Sequence, residues 1–469
     1  MRTTSRQSDY ICPTNSKTMK NITRLPLAAF AVIVILFSGC ERYERVTDST
    51  ETSAYSGDFL RKYCDLQCQI TKETGGFLPP QAARAFGYVG IAGYEAVVHG
   101  IPNAKSLAGQ VNGLSANALP LPEDEKAYNW AVAANAAYAE MMRKMFDLNL
   151  SEENLAKINQ MEEYNYNQMY ADYPLPVAER SVAYGKAIAE ALYQFSMTDG
   201  GHQSYMDPFQ LPYEMPVGDH CWIPTGAALQ PISPYWGQCR PFLTQNVTET
   251  QPVVPIAYST DPNSEFYAAA MEVLDQVNSN TPDQVEIARF WADDPFQTCT
   301  PAGHTFNLLS QLLEEDDATL AKTAVGYAKL GIAENDAFIS CWTSKYEYDL
   351  IRPFSYIRQN IDPNFNTVIG TPPFPTYSSG HSCEIGVGEM VFTEMFTNGD
   401  GNYNLSDRTG LQYGFGIRHF TNFTDMSMEC ANSRFYGGIH YQMDNVEGLV
   451  TGRKIGDNVI NLIAWPEVD

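Results

Sequence analysis

Pro375-Thr376-Tyr377-Ser378-Ser379-Gly380-His381 leads into an apolar run at helical spacing, Ile385, Val387, Met390, Val391 and Met395. Small residues at a helix start let backbone N–H groups close on an anion, and the helix dipole favours the negative charge. A histidine at the edge of such a site can move protons. Working outward, Lys345 and Arg352-Pro353 lie upstream with six residues between the two cations, and Ser433-Arg434, His440 and Asp444 lie downstream. Two helical turns separate Lys345 from Arg352, so one helix face can carry both, with Pro353 ending that helix and the guanidinium turned into a pocket. His440 and Asp444 stand at i, i+4 in a helical pattern that continues through Val446, Leu449 and Val450. There the carboxylate accepts from one imidazole nitrogen and aims the other at the anion.

Each piece alone has an ordinary reading: a solvated helix face, a helix-surface contact, a turn. Together and in order they fit a tetrahedral oxyanion such as phosphate or vanadate. That ligand needs cations and N–H donors around its equatorial oxygens, a group on its axis and an acid/base opposite. Ser379 and the Gly380 amide add neutral donors, Arg434 a third cation, and His381 the acid/base. The histidines at 99, 202, 220, 304 and 419 read as structural, with His304 in a Pro-Ala-Gly-His turn.

The rest of the chain reads as helix. Gln81 to His99 has helical periodicity behind Pro79-Pro80, and its small residues predict close helix packing. Lys126 to Met145, Ser151 to Tyr170 and Ala178 to Met197 follow, then Asn263–Ser279, Asp283–Trp291, Phe306–Glu315 and Ala318–Trp342. With no convincing run of alternating strands, the fold class is all-α, stacked helical bundles. Residues 57–300 form an N-terminal helical region and residues 301–469 a C-terminal helical region carrying the site. Between residues 198 and 262 the pattern breaks into a Trp-, Tyr-, Pro- and Gly-rich excursion, for which Cys221 and Cys239 are a plausible brace.

Thirty Lys and Arg against 55 Asp and Glu give a net charge of -25, which argues against nucleic acid as a partner. Residues 1–40 read as a signal segment: Lys20 and Arg24 precede an apolar run from Leu25 to Phe37, which ends in Phe37-Ser38-Gly39-Cys40. Met19 is a candidate start, which would leave residues 1–18 untranslated. Residues 41–56 read as a polar tether behind a lipid on Cys40, the chain's only expected attachment to a membrane, in an exported protein of the bacterial cell envelope. Eight further cysteines permit disulfides, Cys64 with Cys68 being a second plausible pair. Oligomeric state is not legible.

Lys345-x6-Arg352-Pro353, Ser378-Ser379-Gly380-His381 and Ser433-Arg434-x5-His440-x3-Asp444 together resemble the signature of the type 2 phosphatidic acid phosphatase and vanadium-dependent haloperoxidase superfamily. Ser378 replaces the usual proline, which touches the loop's stiffness and leaves the anion-contacting residues intact. The resemblance covers about residues 340–460. It implies one vanadate per site, with His440 bound to vanadium and Lys345, Arg352, Ser379, Gly380 and Arg434 on the oxygens. His381 is then the acid/base that helps deprotonate hydrogen peroxide, and Lys345 polarises the oxygen that a halide attacks, with a small organic molecule as final acceptor. Trp342, three before Lys345, and Phe374, seven before His381, resemble the halide pocket of haloperoxidases. The Phe resembles chloroperoxidases and bacterial iodoperoxidases alike, and the exported bacterial style resembles an iodoperoxidase or bromoperoxidase more than a chloroperoxidase, so iodide is the favoured halide and bromide the second. An exported acid phosphatase, with His440 as nucleophile and His381 as general acid, is the alternative. A surface lipoprotein that binds glycans through the Trp- and Tyr-rich excursion, with a vestigial anion site, is the third reading.

Overall fold

The computed structural model describes residues 49–169 and 173–468. The signal segment, its Cys40 and residues 41–48 of the expected tether lie outside the described residues. Fourteen helices and one pair of short strands are described. In chain order they are α1 (Asp58–Glu73), α2 (Pro79–Val97), α3 (Trp130–Met145), α4 (Glu152–Met169), α5 (Leu175–Ser196), α6 (Gln245–Thr248), α7 (Glu265–Ser279) and α8 (Pro282–Phe290). They continue with α9 (Thr300–Glu315), α10 (Leu320–Tyr348), α11 (Pro353–Asn360), α12 (Gly380–Phe396), β1 (Asn402–Asp407), β2 (Arg418–Asn422), α13 (Phe423–Tyr436) and α14 (Gln442–Leu462). The fold is all-α, as the periodicity predicts. The one sheet is antiparallel β1–β2, too short and irregular in register to leave an alternating pattern.

Two helix pairs frame the site. The small residues of α2 let it lie against α10 so closely that a Cβ on Gly90 would stand 2.5 Å from the Tyr327 carbonyl. Likewise α12 and α14 meet backbone to backbone, where a Cβ on Gly452 would fall 2.0 Å from the Cys383 carbonyl. A large core gathers Phe86, Phe306, Phe338, Trp342, Phe374 and Cys383. A second, smaller core contains Phe266, Ile351, Tyr356, Tyr377, Phe435 and Tyr441. The quoted stretch runs between the two.

Three expectations are corrected. Residues 49–56 are packed chain, not tether: Thr52 is buried with its hydroxyl donating to the Gly100 carbonyl at 3.0 Å, and the Tyr55 carbonyl accepts from the Leu320 N–H at 2.8 Å. The eight described cysteines are all buried and unpaired, so neither Cys221–Cys239 nor Cys64–Cys68 is a brace. Main-chain bonds hold the excursion instead, Trp222 N–H to the Asp349 carbonyl and Ile351 N–H to the His220 carbonyl, both 2.7 Å. The buried carboxylate of Asp336 adds to them by accepting from the Phe242 and Leu243 amides at 2.8 Å. Trp222 and Trp236 point inward and are buried, so neither indole offers a glycan a platform. Lastly, Lys345 and Arg352 do not share a helix face. Helix α10 runs on to Tyr348 and stops at Asp349, which adopts a left-handed conformation (φ 46). Arg352 is the N-cap of α11, where Pro353 starts the helix because its missing N–H has no role at that position.

The turn between α8 and α9 is pinned by an ion cluster. His304 on α9 bonds Asp293 through Nδ1 at 2.9 Å and Asp407 through Nε2 at 3.0 Å, and its ring stacks on Trp291 with centroids 4.4 Å apart. Burial opposes the imidazolium, but the two carboxylates outweigh it and hold the pKa well above the ordinary 6.5. A raised histidine pKa contributes stability that is complete below about pH 6.5 and is lost as pH rises through the folded value.

Two predictions follow from this packing. Gly452→Ala should lose about 1–3 kcal/mol, read as a lower urea midpoint at unchanged slope, because neither backbone can yield to the new methyl. His304→Gln should lose about 3–5 kcal/mol at pH 6, by leaving two buried carboxylates without their cation. Unfolding midpoints of both proteins compared at pH 6 and pH 9 should converge toward the higher pH.

Candidate active site

The last turn of α10, the start of α11, the N-terminus of α12, the end of α13 and the residues just before α14 converge on one buried volume. The structure brings Lys345, Arg352, Ser379, Gly380, His381, Arg434, His440 and Asp444 together there.

The buried ammonium of Lys345 donates to the carbonyls of Pro375 at 3.0 Å, Thr376 at 3.0 Å and Ser378 at 2.5 Å. Burial first, then Arg352, pulls its pKa down to about 8 against the pull of Cys341 and Asp444. Ser378 sits in a polar nest: its N–H lies 3.3 Å from the Ser344 hydroxyl, and its own hydroxyl is 3.6 Å from the Cys383 sulfur. Hydrogen bonds thus supply the stiffness that a proline would give. The Ser379 hydroxyl caps α12 by accepting from the Ser382 N–H, and the Ser379 N–H donates to the Asp444 carbonyl at 3.0 Å. The amides of Gly380 and His381 lie in the first turn of α12, where N–H groups have no helical acceptor.

Arg352 is fully buried; Nε donates to the Phe374 carbonyl at 2.8 Å, Nη1 donates to the Ile439 carbonyl at 2.9 Å, and Nη2 has no partner. Arg434 donates through Nη1 to the Trp291 carbonyl at 2.6 Å, while its Nε has none. Burial lowers both guanidinium pKa values, and both groups stay charged at any ordinary pH.

His440 and Asp444 pair as expected, Nδ1 to Oδ2 at 2.8 Å, though not along a helix face. His440 precedes α14, and Asp444 reaches back from its first turn, accepting also from the Tyr441 amide at 3.0 Å. Thr376 donates to the same oxygen at 2.5 Å. With Asp444 holding the Nδ1 proton, Nε2 keeps a lone pair, 3.3 Å from Arg352 Nη1. Burial, then Arg352, Lys345 and Arg434, holds this imidazole neutral, its pKa well below 6.5. His381 is held neutral in the same way, by burial and then by Arg434, while the Ala292 backbone hydrogen-bonds its ring and Nε2 remains unpartnered.

Arg352 Nη2, Arg434 Nε and the helix N-terminus are buried donors without acceptors; with the lone pair of His440 Nε2, they match an oxyanion whose central atom accepts an axial ligand. Among the described residues no cluster of three His, Cys, Asp or Glu could hold a bare metal ion. The donor set fits a tetrahedral oxyanion, vanadate or phosphate alike. Beside it opens a cavity of about 430 Å³ with His381, Arg434 and Phe374 on its wall. Trp342 packs behind Phe374, ring centroids 5.1 Å apart, and is not on that wall. Lys345 Nζ lies 5.0 Å from the Phe374 ring centre.

Sequence reasoning missed Thr376 and the Trp291-Ala292-Asp293 segment, whose three residues bond Arg434, His381 and His304 in turn. Thr376 lay inside the quoted stretch, but a threonine's role there depends on Asp444 arriving from 68 residues away. Trp291 and Ala292 meet the site through their main chain, which leaves no side-chain signal, and Asp293 acts through His304, 11 positions on.

A model of the second helical-bundle domain of vanadium chloroperoxidases matches residues 326–465. Vanadium chloroperoxidase of Curvularia inaequalis is 23% identical over 280 residues, 45% of this chain and 46% of that protein, so the match spans under half of that relative's length. The crystal structure of a bacterial vanadium-dependent iodoperoxidase superposes with a TM-score of 0.79 at 32% identity, over 88% of this chain and 98% of that one. A holo-type bacterial vanadium-dependent chloroperoxidase, 12% identical, shares the fold at a TM-score of 0.61 over 82% of this chain and 93% of its own. Similarity along nearly the whole of the iodoperoxidase, with the signature side chains gathered in one buried cage, places the chain in the vanadium-dependent haloperoxidase superfamily.

Proposed function

We propose that the protein oxidises halide with hydrogen peroxide, iodide preferred and bromide possible, with vanadate held in the cage. The observation that carries this reading is the set of unpaired buried donors facing one oriented imidazole lone pair, next to an apolar wall. Arg352 Nη2, Arg434 Nε, the Ser379 hydroxyl and the Gly380 amide would hold the oxygens, with Lys345 adding its charge, and His440 Nε2 would be the metal ligand. Vanadate supplies a Lewis-acid centre that activates peroxide toward a halide without changing its own oxidation state.

The protein's part is positional. Asp444 and Thr376 fix the His440 ring, and neutral His381 accepts a peroxide proton at Nε2. Phe374 and the cavity wall exclude water. A halide crossing that wall sheds hydration, which costs least for the largest ion, and this supports iodide. The similarity to a bacterial iodoperoxidase points the same way. We further propose export and lipid attachment at Cys40, on the strength of the apolar run that precedes it; intact-mass measurement of the envelope form would show a diacylglyceryl-modified Cys40 at the N-terminus, and an unprocessed chain would refute it.

The test is a paired assay on purified protein: triiodide formation with orthovanadate and hydrogen peroxide, and p-nitrophenyl phosphate hydrolysis without vanadate. Vanadate-dependent iodide oxidation is expected; phosphate release inhibited by vanadate, with no halide oxidation, would move the protein to the phosphatase branch. His440→Ala should lose vanadate binding and activity, while His381→Ala should keep vanadate and lose about 10²–10⁴ in kcat. Asp444→Asn, which no longer fixes the imidazole tautomer, should lose about 10–100-fold in activity or vanadate affinity.

A further inference from the structure

The cavity beside His381 is larger than a halide or peroxide requires. Its volume, about 430 Å³, lies in the range of small-molecule sites, typically about 300–1,000 Å³. Four separate parts of the chain build its apolar wall: Leu78 ahead of α2, Phe209 and Ile232 in the excursion, Phe296 in the turn pinned by His304, and Phe374 ahead of α12. The wall is almost wholly apolar, and Phe296 at its mouth is 56% exposed, a large aromatic ring with an uncovered face. Its charged groups are asymmetric. Arg434 lies at the cage end, beside the neutral His381, where the oxyanion would take up its charge. Asp294 lines the cavity too, Asp293 beside it is paired with His304, and the chain carries a net charge of -25, so a carboxylate-bearing molecule is disfavoured there.

We infer that this cavity binds the organic acceptor, a neutral, electron-rich aromatic molecule, so that halogen transfer takes place within the protein. The inference rests on the haloperoxidase reading and adds the acceptor's chemical class and place. Halide, peroxide and one proton give hypohalous acid and water. A ring carbon then attacks the halogen with its electron pair, the carbon–halogen bond forms as the halogen–oxygen bond breaks, and the displaced ring proton leaves with hydroxide as a second water. The ring is oxidised by two electrons and the peroxide reduced by two. Phe209 and Phe296 offer the faces on which such a ring would stack.

The test uses indole as the neutral probe and indole-3-acetate as its anionic counterpart, in saturation-transfer NMR and calorimetric titration on full chain saturated with orthovanadate, so that the cage end is already occupied. Indole should bind and indole-3-acetate at least tenfold more weakly. Phe296→Ala and Phe209→Ala should each weaken indole about fivefold, the worth of one aromatic contact. Phe296 is exposed, so its variant keeps the fold, and an unchanged melting temperature verifies this. With vanadate, peroxide and bromide added, the brominated indole isomers should differ in ratio from those made by reagent hypobromite. Absence of indole binding, binding unaffected by both variants, or a product ratio identical to the reagent's would each overturn the inference. Failure of halide oxidation with indole binding intact would instead sink the catalytic reading and leave the aromatic site standing.

Discussion

The ammonium of Lys345, bonded to three carbonyls of the 375–378 segment, is the contact on which the site's geometry depends. A loop entering a protein interior must find partners for its carbonyls, because an unmet polar group there is expensive. Here a single cation meets three of them. It thereby sets the direction in which the chain reaches Ser379 and the position of the α12 N-terminus. Tyr377 sinks into one core and Cys383 into the other, so the loop cannot slide in either direction. Gly452, which lets α14 touch the Cys383 carbonyl, then brings Asp444 and His440 into reach of the same segment.

The charge balance explains why such a site seeks an anion. Lys345, Arg352 and Arg434 are buried, and their hydrogen bonds go to backbone carbonyls and, from Arg352, to the neutral His440 ring. Asp444 is committed to His440, Thr376 and Tyr441, and burial pushes its own pKa up to about 6 even though the cations pull it down. Carbonyl dipoles solvate the cations without neutralising them. Burial first, and then this uncompensated charge, depresses the pKa values of Lys345, His381 and His440. A bound oxyanion supplies the missing charge, so it must stabilise the fold as well, by about 2.7 kcal/mol at a hundredfold excess over its dissociation constant.

The fold class and most of the cage were legible because they rest on local signals: helical periodicity, and ionisable residues whose types and order are dictated by one ligand. What was not legible depended on chain crossings. Lys345 and Arg352 read as one helix face, because spacing cannot reveal that Asp349 takes a left-handed conformation and splits the run into α10 and α11. His440 and Asp444 meet across a helix start, where the i, i+4 spacing still works. His304 read as an ordinary turn residue because its partners, Asp293 and Asp407, lie 11 and 103 positions away. The Trp-rich excursion looked open to ligands, yet its indoles are core. Composition records how much aromatic surface a segment carries but not which way it faces.

Cage and wall are written in different parts of the chain, and their physical demands differ. The cage, from Lys345 to Asp444, must place donors to within tenths of an ångström around one anion, which ties each residue to a fixed type. The wall, from Leu78, Phe209, Ile232 and Phe296, has only to set how much water a halide or an organic molecule loses on approach. Desolvation grows with area and tolerates exchange of one apolar side chain for another. A donor set cannot be exchanged in that way. On the proposed reading, one cage would serve phosphate or vanadate alike, and selection among halides would rest with wall residues that no signature motif contains. The His304 cluster joins the two: it fixes the turn that offers the Trp291 carbonyl to Arg434 on one side and Phe296 to the cavity on the other.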